Sequence, residues 1–294
     1  MVLHNNSKFM NIPVFLSGLN KIYLKFDIFF VDLWGVVHNG IECYSDALKA
    51  LKNIKKKKKI ILISNAPRPS DSVQKFLNKI NFSKKFYDLL ITSGDLTRFY
   101  LKNYCKKKYF YHLGPKKRDN SLFVNLNLKK TSLNNANFVV CTGVNNNKDK
   151  INKYFSILKK IKKRNLEMIC ANPDLIVHKG KRTEYCAGSI AKLYEKMGGR
   201  VKYFGKPHKY VYEYVFKVLR KKQKKNINKN KILVIGDNLN TDILGANNFK
   251  VKNLFIAGGI HRSEWNKKNI NLAKFVIHKN KDFKINYFQN ELIW

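Results

Sequence analysis

Ile28-Phe29-Phe30-Val31-Asp32-Leu33-Trp34-Gly35-Val36 sets an aspartate at the end of an uninterrupted apolar run. The pattern recurs twice: Ile60-Ile61-Leu62-Ile63 ends on Ser64, and Ile232-Leu233-Val234-Ile235-Gly236 ends on Asp237. Short Val/Ile/Leu/Phe runs bounded by polar residues read as strands buried on both faces of a parallel sheet. Open α/β sheets bind ligands beyond the carboxyl ends of such strands. Two carboxylates and a hydroxyl are therefore expected to meet in one crevice.

The segments around these runs carry helical spacing. Ala47, Leu48, Leu51 and Ile54 predict a helix over 45–57 that leads into strand 60–63, and Val73, Phe76, Leu77 and Ile80 form the apolar stripe of another, capped by the turn Ala66-Pro67-Arg68-Pro69-Ser70. This is the start of a doubly wound α/β sheet. The middle of the chain reads as a second α/β unit, with strands near 89–92, 109–113, 138–141 and 167–170 and helices near 95–104, 149–163 and 184–197. Strand 201–204, helix 208–221, a polar linker at 221–230 and strands 231–235 and 251–256 return to the first sheet. Residues 1–20 read as a lead-in with a helix.

With 294 residues, 44% hydrophobic, the chain can bury one large core or two medium ones, which excludes global disorder. The formal charge of +40 suggests nucleic acid or an acidic membrane. Only eight of the 59 basic residues are Arg, however, and the Lys excess travels with Asn, Ile, Phe and Tyr, types that share AT-rich codons. The Lys runs at 55–59, 106–108, 159–163 and 221–225 suit solvated faces and loops, so no specific nucleic-acid partner is expected. Five cysteines, Cys43, Cys105, Cys141, Cys170 and Cys186, lack zinc spacing and suit reduced thiols in a cytoplasmic protein. The apolar stretch 22–37 is broken by Lys25, Asp27 and Asp32, so neither a secretory signal nor a membrane span is expected.

Phosphoryl transfer needs a nucleophile, cations to neutralise the transferring oxygens, and donors to hold them. Asp32 can be the nucleophile, and Asp32 with Asp237 meets the preference of Mg²⁺ for carboxylate oxygen. Ser64 and the Asn65 amide can donate to phosphate oxygens. Lys206, held between Gly205 and Pro207, can place one positive charge against phosphate and nucleophile.

In order along the chain, Asp32-Leu33-Trp34-Gly35-Val36, Ser64-Asn65, Gly205-Lys206-Pro207 and Gly236-Asp237-Asn238-Leu239-Asn240-Thr241-Asp242 resemble the four motifs of the haloacid dehalogenase (HAD) superfamily. The last motif, Asn172-Pro173-Asp174 and the run from Ala187-Gly188-Ser189 to Lys206 resemble its class IIA phosphatases, and the first motif a subfamily with Asp-x-Trp-Gly-Val. The resemblance spans about residues 22–262. It implies a HAD core at 1–88 and 201–294 with an inserted α/β cap at 89–200. It also implies an aspartyl-phosphate on Asp32, phosphoryl binding by Ser64 and Lys206, and a cap loop at Asn172 and Asp174 facing the site. Mg²⁺ would be bound by Asp32, Asp237 and the Trp34 carbonyl, with Asp242 supporting the metal or Lys206. A homodimer through the cap is a further implication.

Trp34 departs from the family pattern. Relatives mostly carry a second Asp there, which protonates the leaving group and activates water. Three alternatives follow: a substrate with a good leaving group, His38 swinging in as acid and base, or a chain that binds a phosphorylated metabolite without turnover. The expectation is a Mg²⁺-dependent phosphatase-like hydrolase of a small phosphorylated metabolite. A basic nucleic-acid-binding protein is the alternative from another class.

Overall fold

The computed structural model describes residues 12–106, 108–180, 182–223, 227–268 and 270–294. Side chains along the central strands alternate between two separate apolar clusters. Phe29, Val31, Ile60, Leu62, Leu233 and Ile235 pack on one face, and Ile28, Phe30, Ile61, Ile63, Ile232 and Val234 on the other. Period-two alternation with both faces covered is why these runs contain no polar residue. Each such side chain contributes about 1.5–3 kcal/mol by leaving water.

The resulting seven-stranded parallel sheet runs Val14–Phe15, Tyr287–Gln289, Lys252–Ile256, Ile232–Gly236, Ile28–Val31, Lys59–Ser64, Leu89–Thr92. From Ile28–Val31 the chain winds one way across the sheet, and from Ile232–Gly236 it winds the other. The order reverses between these two strands, where an open α/β sheet leaves its crevice. Asp32 and Asp237 are the first residues beyond them.

A second parallel sheet, of five strands, runs Val201–Tyr203, Met168–Cys170, Phe138–Cys141, Tyr109–Leu113, Lys129–Lys130. One of its faces joins the first sheet's cluster: Phe110, Phe138, Val140 and Ile169 pack with Leu96 and Leu101 of the helix Ser93–Asn103 and Val211 and Val215 of the helix Lys209–Gln223. That first helix is fixed by a capping box, in which Thr92 Oγ1 accepts from Asp95 N–H and Asp95 Oδ2 from Thr92 N–H, both at 3.0 Å.

Several expectations are corrected. The division at 88/89 and 200/201 shifts by one strand at each end, because Leu89–Thr92 pairs with Lys59–Ser64 in the first sheet and Val201–Tyr203 with Met168–Cys170 in the second. The helix expected from 184 starts at Ala187, since Ile176–Lys179 and Arg182–Tyr185 form an antiparallel hairpin. The helix expected from 149 begins with a 3₁₀ turn at Ile151–Tyr154. Residues 1–11 of the lead-in and 224–226 of the linker lie outside the described residues, while Val14–Phe15 is an edge strand rather than helix. Cys43, Cys141, Cys170 and Cys186 are free thiols. No helix among the described residues is long and apolar enough to cross a membrane.

Candidate active site

At the reversal point, Lys206 Nζ donates to Asp32 Oδ1 at 2.5 Å and to Asp242 Oδ1 at 2.7 Å, and all three side chains are buried. Carboxylate oxygens of Asp32, Asp237 and Asp242 lie within 4.8 Å of one another. Asp237 is wedged by its surroundings: its Oδ2 accepts from Ile260 N–H at 2.7 Å, and a Cβ on Gly35 or Gly259 would come within 2.0 or 2.1 Å of that oxygen. Gly35, at φ +78°, supplies both the missing side chain and the left-handed turn. Asp242 Oδ2 accepts from Asn238 N–H at 3.1 Å, from the start of a π-helical turn at Leu239–Ile243.

Three buried carboxyls face one buried ammonium. Burial pushes the Asp32 carboxyl up to about 7, against the pull of Lys206 and with a further push from Asp242. Burial, then Asp32 and Asp242, hold Asp237 well above the usual carboxylate range. Burial alone would lower Lys206, but Asp242, Asp32 and Asp174 outweigh it and hold the ammonium above its ordinary value. The cluster is short of positive charge and its donors are all oxygen, which fits a hard divalent cation.

The expected phosphate donors divide. Ser64 Oγ accepts from Ala66 N–H at 3.2 Å and keeps its own proton to donate. The Asn65 carboxamide is instead a brace. Its Nδ2 donates to Asp174 Oδ1 at 2.8 Å and to Lys206 O at 3.1 Å, and its Oδ1 accepts from Lys206 N–H at 2.8 Å and Ser93 Oγ at 3.2 Å. Asp174 thereby reaches the site from the second sheet, its carboxyl pushed by burial to about 6 against the pull of Lys206. Asn172 serves the same loop, its Oδ1 accepting from Asp174 N–H at 3.0 Å in an Asx turn.

Trp34 and His38 turn elsewhere. Trp34 Nε1 donates to His178 O at 2.7 Å, on the hairpin strand Ile176–Lys179, and its indole stacks on Phe76 at 6.3 Å between centroids. Gly180 N–H donates to Asn39 O at 3.1 Å, a second tie between hairpin and loop. His38 is buried, neither exposed nor free to swing, with its ring edge-on to Trp34 and Phe76. Its Nδ1 accepts from Gly40 N–H at 3.0 Å, so the neutral ring carries its proton on Nε2, and burial lowers its pKa to about 4. The hairpin was missed by sequence reasoning, although β-branched residues on either side of Gly180 signal one.

A crystal structure of a hydrolase of the haloacid dehalogenase-like family from Brucella suis is 31% identical, covering 95% of this chain and 100% of that one, with a TM-score of 0.84. This chain belongs to that family. The haloacid dehalogenase-like hydrolase family model matches residues 29–129, and a HAD-hydrolase-like model residues 203–282. Two further solved structures share the fold of this HAD hydrolase. A possible sugar phosphatase of the HAD superfamily from Cytophaga hutchinsonii is 22% identical, with coverage of 87% of this chain and 95% of that one and a TM-score of 0.71. A glycerol phosphate phosphatase from Mycobacterium tuberculosis, solved in complex with magnesium, is 20% identical, with coverage of 81% and 70% and a TM-score of 0.61. No curated protein matches the chain. The expected doubly wound parallel-sheet core with a second, inserted α/β unit is thus the fold of a HAD-like hydrolase.

Proposed function

We propose that this HAD hydrolase is a Mg²⁺-dependent phosphatase of a small phosphorylated metabolite, with Asp32 as nucleophile. One observation carries it: Asp32 Oδ1 lies 2.5 Å from Lys206 Nζ at the reversal point of the sheet, with Asp237 and Asp242 beside it. Mg²⁺ would be held by Asp32, Asp237 and the Trp34 carbonyl, with Asp242 in support, and would neutralise phosphoryl oxygens. The magnesium in the Mycobacterium tuberculosis enzyme supports that choice of metal.

Lys206 holds Asp32 in place and pulls its pKa down against burial, favouring the carboxylate that attacks. An Asp32 oxygen bonds to phosphorus as the bond to the leaving oxygen breaks, and water then attacks the aspartyl-phosphate, releasing phosphate and restoring Asp32. Ser64 donates to a phosphoryl oxygen. Trp34 has no proton to give the leaving group and no base for the water, help worth about 10²–10⁴ in rate. The substrate is accordingly one whose leaving group departs as an anion: an acyl phosphate, a phosphoanhydride or a phenol-like ester. The alternative, phosphometabolite binding without turnover, draws on the same side chain of Trp34.

Brief incubation with acetyl phosphate and Mg²⁺, acid quenching and peptide mass spectrometry tests this directly. A phosphoryl group on Asp32 is expected in the wild type and not in Asp32→Asn. If no phosphopeptide forms and no phosphate is released, the chain is a binder rather than a phosphatase.

A further inference from the structure

The second sheet has a reversal point of its own. From Tyr109–Leu113 the chain goes to Lys129–Lys130 on one side, then crosses to Phe138–Cys141 on the other and continues to Met168–Cys170 and Val201–Tyr203. The crevice between Tyr109–Leu113 and Phe138–Cys141 is therefore where a doubly wound sheet takes a ligand. Each of the two strands is followed closely by a glycine with a backbone that side chains rarely adopt, Gly114 at φ +148° and Gly143 at φ +153°. A Cβ on Gly114 would come within 2.1 Å of Thr142 Oγ1, and one on Gly143 within 3.4 Å of Arg118 Nη2.

Two guanidiniums from different parts of the fold lie within electrostatic range of each other there. Arg118 Nε and Nη2 donate to the two carboxylate oxygens of Asp119 at 2.8 and 3.1 Å, which leaves other donors of its half-exposed fork unused. Arg68 comes from the other sheet, three residues after Asn65, and lies within electrostatic range of both Asp119 and Arg118. Its Nε is buried with no hydrogen-bond partner among the described residues. One carboxylate thus answers two guanidiniums. Glu184, the other acid near Arg118, accepts from Asn147 Nδ2 at 3.0 Å, while Lys116 and Lys130 add positive charge around His112. A buried guanidinium donor without an acceptor is costly unless a ligand supplies one.

We infer that Arg68 and Arg118, at the reversal point of the inserted sheet, form a subsite for a second anionic group on the substrate, a carboxylate or a second phosphate. It rests on the phosphatase reading for its relation to the reacting phosphoryl group. The loop bearing Asp174 follows the strand next to Phe138–Cys141 and touches Asn65, so the two crevices adjoin. Phosphoryl goes to Asp32 and Lys206, whose surroundings are rich in carboxylate. The anionic tail goes to the guanidiniums, whose planar forks suit carboxylate and phosphate oxygens.

The test is calorimetric titration of the full chain, with Mg²⁺, against methylphosphonate, phosphonoacetate, 3-phosphonopropionate, 4-phosphonobutyrate and propane-1,3-bisphosphonate, none of which can be hydrolysed. At least one doubly anionic compound is expected to bind about tenfold or more tighter than methylphosphonate. Which kind gains, phosphonocarboxylate or bisphosphonate, tells carboxylate from phosphate. In Arg68→Gln and in Arg118→Gln the ratio should fall to about one, and a ratio survives partial loss of folded protein. A ratio near one in the wild type, or one unchanged in both variants, overturns the subsite. Malonate alone reads the subsite without the phosphoryl site. If methylphosphonate fails to bind while malonate binds and loses affinity in both Arg variants, the phosphatase reading fails and the subsite stands, and malonate indifferent to both variants overturns it.

Discussion

The indole of Trp34 donates its one polar hydrogen to His178 O, so the residue two places after Asp32 ties the loop to the hairpin and offers nothing that titrates. Behind it His38 is locked neutral, with a pKa near 4 where the free side chain has 6.5. A histidine whose folded pKa is lowered gives its full stability above pH 6.5 and loses it as pH falls towards 4. Wild-type stability from urea unfolding is expected to drop between pH 7 and 5 by about 2 kcal/mol more than that of His38→Gln. Equal slopes for the two proteins would show that the ring is not buried neutral. Asp32 and Asp237 were legible in the sequence because each follows a strand whose apolar run is unbroken, whereas Lys206 was read from its place between Gly205 and Pro207 and Asp242 from the family resemblance. The bracing role of Asn65 was not legible, since hydrogen bonds to residues 109 and 141 positions away leave no local pattern, and neither was the burial of His38, which depends on packing against Phe76 from a distant helix.

Elements converge on the crevice with little clearance. Gly35 lies in the loop after Ile28–Val31 and Gly259 beyond Lys252–Ile256, and both leave room for the same Asp237 oxygen. Gly35→Ala forces a methyl group at φ +78° into Asp237, which is expected to lower stability by about 1–3 kcal/mol and to weaken Mg²⁺ binding, measured by chemical denaturation in a chelator and by calorimetry. Retention of both would mean that the loop can move away from Asp237. Strands buried on both faces were legible as runs. The hairpin Ile176–Lys179 and Arg182–Tyr185 was not, because it is only partly buried and owes its position to Trp34 and Asn39 rather than to an apolar pattern of its own. The boundaries of the inserted unit were misplaced for a related reason. Leu89–Thr92 and Val201–Tyr203 are short strands whose sheet is decided by their neighbours, and strand sequences do not name their partners.

Across the whole molecule, the carboxyl ends of the two doubly wound sheets meet where Asn65 bonds Asp174; one crevice has excess negative charge at Asp32, Asp237 and Asp242, the other excess positive charge at Arg118 of the second sheet and Arg68, which reaches it from the first. The acidic cluster should make metal-free protein less stable than it could be. Asp237→Asn is expected to raise the unfolding temperature in a chelator by removing a buried like charge, and to abolish the rise that Mg²⁺ gives the wild type. A Mg²⁺ response that persists in the variant would place the cation elsewhere. The most direct test of an aspartyl nucleophile working without its acid is Mg²⁺-dependent phosphate release across a series of leaving groups: acetyl phosphate, 4-nitrophenyl phosphate and a panel of alkyl phosphates, with wild type and Asp32→Asn side by side. Release from the first two alone, lost in Asp32→Asn, is the expected result. Equal turnover of the alkyl phosphates, or release indifferent to Asp32→Asn, would contradict it.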